Sequence, residues 1–204
     1  MDRLQLLYDN TGDPYYLERK AEKLDRKAGL KDDENTDLRM LEQVFDIRQY
    51  LWRASGDLDM RVRRENLRER LHKLYEMFPE KKIPWIMLHA DSESALAEMK
   101  EYLQQSGYRI AFTSTGYSDV YNICPEIEPD LIISDMNRNS RSVLHDMDFL
   151  LRVLRVKVKV LLTGCSDVLD SMKEGLRMGA SAYLISPFTM EELGEKVREV
   201  LAQE

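Results

Sequence analysis

The apolar positions of this chain follow two rhythms, and the change between them falls from Pro79 to Pro84. Upstream, they recur at helical spacing. A first helix opens at Asp13-Pro14, with the aspartate as cap and the proline at the first helical position, and stops at Gly29. The polar stretch Lys31-Asp32-Asp33-Glu34-Asn35 reads as a loop, after which Thr36 is placed to cap a second helix. In that helix Leu38, Leu41, Val44, Phe45, Arg48, Leu51 and Trp52 fall near a 3.6-residue period, which leaves one apolar stripe. Ser55-Gly56-Asp57 breaks it. A third helix runs from about Leu58 to Phe78, with Leu67, Leu71, Leu74, Tyr75 and Phe78 on one side. Helices of this length bury a modest core, so their stripes must close on each other, on the second domain or on a second copy. We expect the second and third helices to form an antiparallel hairpin that contributes to a homodimer.

Downstream, short apolar runs alternate with amphipathic segments. Ile83 to His89, bounded by prolines and Asp91, reads as a strand buried on both faces. Helix Ser92–Ser106, strand Arg109–Thr113, a short helix from Ser118 to Cys124 ended by Pro125, and strand Leu131–Ser134 follow. Then come helix Ser142–Arg155, strand Val158–Thr163, a capped helix Ser166–Met178 and strand Ala182–Ile185. The last helix opens on the capping box Thr189-Met190-Glu191-Glu192. Repeated strand-helix units at this spacing predict an α/β domain with a parallel sheet covered on both faces. Right-handed crossovers make the flavodoxin-like order 2-1-3-4-5 the natural one. The predicted organisation is therefore an all-α domain at 1–82 and an α/β domain at 83–204. In such a sheet functional groups gather at the carboxyl ends of the strands, where Asp91, Asp135, Thr163 and Ser186 fall.

Composition narrows the class. The 204 residues are 43% hydrophobic and 33% charged, as in a soluble globular chain. No apolar run approaches the roughly 20 residues that span a bilayer, so no membrane association is expected. Met1-Asp2-Arg3-Leu4 lacks a secretory pattern. Cys124 and Cys165 have neither metal-ligand spacing nor the density of a disulfide scaffold, and read as thiols in a reducing, cytoplasmic setting. Residues 1–82 hold 18 Lys/Arg and 18 Asp/Glu, whereas 83–204 hold 12 and 19, so the whole net charge of -7 lies in the second half. Phosphates would be repelled there, which disfavours nucleic acid as a partner.

Some upstream residues suggest chemistry but read better as structure. His72 in Leu71-His72-Lys73-Leu74-Tyr75 lacks the small neighbours that admit a phosphotransfer partner. Arg61, Arg63, Arg64, Arg68, Arg70 and Lys73 could form an anionic-partner site, yet Glu65 and Glu69 interrupt them at ion-pair spacing, so a solvated helix face is expected. Trp52 and Phe78 read as core.

Residues 83–204 resemble the receiver domains of two-component signalling, with every element in order. Glu128-Pro129-Asp130-Leu131-Ile132-Ile133-Ser134-Asp135 is similar to the strand that presents the phosphoacceptor, which the resemblance assigns to Asp135. It also assigns Asp91 to the second of two metal-binding acids, Asn137 to the residue whose carbonyl completes the metal shell, Thr163 to the phosphoryl-binding hydroxyl and Tyr183 to the aromatic switch. Ala90 stands where the first acid is expected, and Ser186-Pro187-Phe188 has serine in place of the family's lysine. Asn139 and Val143 stand where proline and glycine are usual.

The departures fall on charge compensation. A phosphoaspartate adds about two negative charges beside existing carboxylates. A receiver answers them with a divalent ion and a lysine, and the missing lysine alone removes a charge-assisted bond of roughly 1.5–3 kcal/mol. The resemblance thus implies a pseudo-receiver that acts by protein contacts without phosphorylation, with no enzymatic activity. It implies no cofactor beyond weak Mg²⁺ binding by Asp91 and Asp135, with a kinase or downstream effector as partner. In that state the hydroxyls of Thr163 and Ser186 could bond Asp135 directly. One alternative is an unusual phospho-accepting regulator using Asp135. Another is a flavin carrier or small enzyme on the same fold, prompted by the Thr113-Ser114-Thr115-Gly116-Tyr117 loop.

Overall fold

The structure, a computed structural model, describes residues 3–29, 32–138 and 140–203. The expectations at Met1-Asp2, Lys31 and Asn139 lie outside them. The chain divides into two compact units, Met1–Lys82 and Ile83–Glu204.

The first unit is helical: α1 Arg3–Thr11, α2 Pro14–Ala28, α3 Leu38–Ser55 and α4 Leu58–Met77, followed by a 3-10 turn Pro79–Lys81. Helix α1 has no counterpart in the sequence reading. Nine residues are too few for helix formation by propensity, and α1 is held from outside, by the Tyr8–Tyr50 hydroxyl contact and by Lys20 Nζ donating to Gln5 Oε1 at 2.9 Å. Asp13 caps α2 by accepting from Tyr15 N–H. The cap of α3 is Asp37, not Thr36: the Asp37 carboxylate accepts from Met40 N–H, while Thr36 is buried and its hydroxyl accepts from Asp33 N–H.

Helices α3 and α4 are antiparallel. Gln49 and Trp52 meet Arg64 near the connecting Gly56-Asp57, and Glu42 meets Tyr75 farther along both helices. The expected solvated face forms only in part: Arg61, Arg63 and Lys73 are exposed, whereas Arg64 and Arg70 turn toward other helices. Arg64 is 2% exposed, donates to Gln49 Oε1 at 2.7 Å, stacks over the Trp52 ring at 4.3 Å and pairs with Glu65. Arg70 donates to Asp32, to Asp25 and to the Gly29 carbonyl at the end of α2. Arg48, within the apolar stripe of α3, pairs with Asp25 at 3.2 Å. Arg48, Arg64 and Arg70 are therefore ties between helices, through carboxylates, the Gln49 amide and the Gly29 carbonyl.

The second unit is an all-parallel five-stranded sheet in the order β2-β1-β3-β4-β5, as expected. Its strands are β1 Trp85–His89, β2 Arg109–Ser114, β3 Leu131–Asp135, β4 Lys159–Gly164 and β5 Ala182–Ile185. The helices are α5 Glu93–Gln105, α6 Tyr117–Ile127, α7 Ser140–Asp148, α8 Leu169–Met178 and α9 Met190–Leu201. Ile86, Leu88, Leu131, Ile133 and Leu161 pack on one face with Leu96, Met99 and Leu103 of α5 and Leu193, Val197 and Val200 of α9. The predicted capping box at Thr189 forms, with Glu192 reciprocating.

Three boundaries differ from expectation. Helix α6 carries Pro125 in its last turn and ends at Ile127, because Glu128 takes a left-handed conformation (φ 53°) and its N–H bonds the Cys124 carbonyl. Helix α7 stops at Asp148 and passes into a π-helical turn, Phe149–Val153. The segment from Ser166 begins as a 3-10 turn, Ser166–Val168, before α8. Among the described residues, no helix is long and apolar enough to cross a membrane.

Candidate functional site

Strand order reverses between β1 and β3, and the carboxyl ends of those strands carry the acidic residues. His89 pairs with Ser134 in the parallel register of β1 and β3, and Asp135 pairs with Thr163 in that of β3 and β4. The sheet alone thus brings Asp91, Asp135 and Thr163 to one edge. Ala90 is 2% exposed and supplies no donor beyond its backbone.

Hydrogen bonds fix the loop after β3. Asp135 Oδ1 accepts from Asn137 N–H at 2.9 Å, a side chain closing on its own turn. Asn137 Oδ1 in turn accepts from Cys165 N–H at 2.7 Å, tying this loop to the one after β4. The following residue, Arg138, places Nε 3.6 Å from Asp91 Oδ2. Val143 is fully buried in α7. The expected hydroxyl bonds to Asp135 are not made: Thr163 is buried, Ser186 is half-buried, and neither side chain hydrogen-bonds Asp135. The short Asn137 turn takes up one carboxylate oxygen instead. Ser186 N–H donates to the Gly164 carbonyl at 2.7 Å, and the Ser186–Pro187 peptide is cis. Tyr183 lies half-buried in β5, in register with Leu162.

Electrostatics follow from this layout. Burial raises the Asp91 pKa, and the like charge of Asp135 raises it further, against the lowering effect of His89 and Arg138. Burial lowers the His89 pKa, opposed by Asp135, Asp91, the Thr115 backbone and Asp119. His89 is 1% exposed, with Nδ1 3.1 Å from Ser134 Oγ. The sequence reading passed over both His89 and Arg138. A histidine closing an otherwise apolar central strand was the available signal for the first. For the second it was a cation one residue after Asn137.

The residues fit a receiver-type Mg²⁺ shell only in part. Such an ion keeps several waters and needs one or two carboxylates, which Asp91 and Asp135 would supply, but Ala90 stands at the first acid position and Asp91 already faces Arg138. Among the described residues, no group of three or more His, Cys, Asp or Glu could hold a metal. The loop after β2 is also closed on itself: Ser114 Oγ donates to Asp119 Oδ2 at 2.7 Å and accepts from Gly116 N–H at 2.9 Å. A phosphate there would face the Asp119 carboxylate. Burial pushes the Cys124 thiol up to about 12, so it is not a nucleophile.

A doubly wound parallel sheet in this order, with carboxylates at the β1/β3 switch, defines a flavodoxin-like α/β domain, and comparisons with known proteins narrow it. The response regulator receiver domain family matches residues 86–198, more than half of the chain, and the protein belongs to that family. It is similar to the TorCAD operon transcriptional regulatory protein TorR of Escherichia coli, 32% identical over 119 residues, covering 57% of this chain and 49% of the relative. It is also similar to the transcriptional regulatory protein PrrA of Mycobacterium tuberculosis, 28% identical over 58% of this chain and 50% of the relative. The chain therefore spans about half the length of the curated relatives it matches. Among solved structures, a response regulator from Thermotoga maritima aligns with a TM-score of 0.53 at 18% identity, covering 60% of this chain and all of that one. The chemotaxis protein CheY4 of Vibrio cholerae aligns at 0.52 and 22% identity, covering 58% and 99%. These likenesses establish the fold. The chain carries a receiver domain of a two-component system.

Proposed function

We propose that this receiver works as a pseudo-receiver, passing its signal through protein contacts without phosphorylation of Asp135. The observation that supports this is Ala90 and Ser186 in a pocket whose remaining metal-side carboxylate, Asp91, is already paired with Arg138. Charge brought by a phosphoryl group would meet two carboxylates with neither a full metal shell nor a lysine. The role proposed is that of a binding module and not an enzyme.

The partners proposed are signalling proteins, a kinase or a downstream effector. They meet the face of α8, β5 and α9, where Leu176 and Ile185 are 36% and 40% exposed. The N-terminal helices serve dimerisation or docking. Nucleic acid is not favoured as a partner, given the acidic second unit. The TorR and PrrA relatives are named as transcriptional regulators, but the match leaves half of their length uncovered. The compartment proposed is cytoplasmic, in keeping with two unpaired thiols, Cys124 and Cys165.

Incubation with acetyl phosphate and Mg²⁺ followed by intact mass tests the proposal. We expect unmodified protein. A stable phosphate adduct that disappears in Asp135→Asn would overturn it in favour of a working, unusual phospho-switch.

A further inference from the structure

The acidic charge at the ends of β1 and β3 is answered from within the chain. The like charge of Asp135 adds to the cost of the Asp91 carboxylate, and Arg138 brings a guanidinium to it, with Nε 3.6 Å from Asp91 Oδ2. We infer that Arg138 is the resident cation of this pocket: its guanidinium faces Asp91, the carboxylate a divalent ion would need, and so disfavours such ions. The inference shares its pocket with the proposed function but concerns the metal, and the two can fail separately.

Several features make the arrangement specific. Arg138 sits on a loop held at two points, by Asn137 N–H on Asp135 and by Cys165 N–H on Asn137. The backbone that carries it is thereby set beside Asp91, and the Arg138 backbone N–H joins the side chain in favouring the Asp91 carboxylate. The Asp91 side chain is 17% exposed while that of Arg138 is 75% exposed, so the guanidinium is on the solvent side of the pair. A guanidinium does not lose its proton under ordinary conditions. This cation is therefore permanent, unlike the nearby His89, whose burial favours the neutral ring. A divalent ion entering the pocket would have to take Asp91 from Arg138 and then lie beside a like charge. Ala90 offers no carboxylate to offset either effect.

The exposure of Arg138 makes the test clean, because removing an exposed side chain leaves the packing of the unit intact. Mn²⁺ is the probe, with bound ion read by electron paramagnetic resonance or titration calorimetry on the full chain. Arg138→Ala is expected to bind Mn²⁺ at least about tenfold more tightly than the unaltered protein, and adding Asp91→Asn to that variant should abolish the gain. Arg138→Gln gives the same reading should the alanine variant melt early. Equal Mn²⁺ affinity with and without Arg138, whether both proteins bind or neither does, would overturn the inference. So would a gain that survives Asp91→Asn. A phosphate adduct on Asp135 formed without added metal would sink the proposed function and leave this inference standing; equal Mn²⁺ affinities would do the reverse.

Discussion

The Nδ1 atom of His89 lies 3.1 Å from Ser134 Oγ, joining residues paired in register on the two central strands at the inner end of the acidic pocket. Both residues are buried, at 1% and 0% exposure. A polar pair in this position holds only while it is bonded. Its charge state couples the fold to pH.

Burial lowers the His89 pKa below its ordinary 6.5. The unfolded chain therefore takes up a proton on acidification before the folded one does. The contribution of His89 is fully present above about pH 6.5 and is lost as pH falls from there through the folded-state pKa. Asp91 runs the other way: its raised pKa costs stability at neutral pH, and that cost relaxes as the carboxyl protonates in more acid solution. Urea unfolding at about pH 7.5 and about pH 5.5 should show the unaltered protein losing more stability than His89→Val/Ser134→Ala. The double variant removes both polar partners, so that neither is left buried alone. Equal losses in the two proteins would contradict the assignment.

The sheet was legible because its evidence is repeated and local. Each strand is an apolar run closed by a turn, and each crossover has an amphipathic helix of ordinary length, so topology followed from handedness and spacing. The arginines were not legible. Arg64 and Arg70 lie in a charge-rich helix whose sequence is that of a solvated face; only the third dimension shows Trp52, Gln49 and the Gly29 carbonyl waiting for them. The same holds in the pocket. Asp91 and Asp135 could be placed by strand ends, whereas Arg138 gains its meaning from a loop turn set by Asn137.

Arg64 yields a stability prediction in the helical unit. Replacing it by alanine removes the bond to Gln49, the stack on Trp52 and a buried aliphatic stem. The expected cost is about 2–4 kcal/mol, between the loss of a charged hydrogen bond and that of a large core side chain. Arg64→Lys should recover only part of it, since an ammonium lacks the planar face for Trp52. Arg61→Ala, on an exposed residue of the same helix, should change stability by no more than about 0.5 kcal/mol. Chemical denaturation of the three variants measures the contrast.

The capping box of α9 makes a smaller, well-bounded prediction. Thr189 Oγ1 accepts from Glu192 N–H at 3.2 Å, and Glu192 Oε2 accepts from Thr189 N–H at 2.7 Å. Thr189→Ala removes one half of the box and should cost about 1 kcal/mol. Thr189→Ser should be close to neutral because the hydroxyl is retained. A thermal melt in which both variants fall equally would assign the loss to packing instead of capping.

The dimer proposed for the helical unit can be tested on α4. Leu58 and Val62 lie one turn apart on that helix and are 71% and 56% exposed, and Met77 at its other end is 54% exposed. Large apolar side chains are often exposed singly without consequence. A pair stacked on one helix face, beside a core of only modest size, is better suited to a partner helix. A second copy supplies that surface in the symmetric arrangement commonest among oligomers. Light scattering at high micromolar concentration should give twice the 24.0 kDa chain mass. Leu58→Glu/Val62→Glu should return the mass to that of one chain with unchanged helix content, because neither side chain belongs to the buried core. A single-chain mass for the unaltered protein would rule the dimer out. A double mass that survives both glutamates would move the interface to another face.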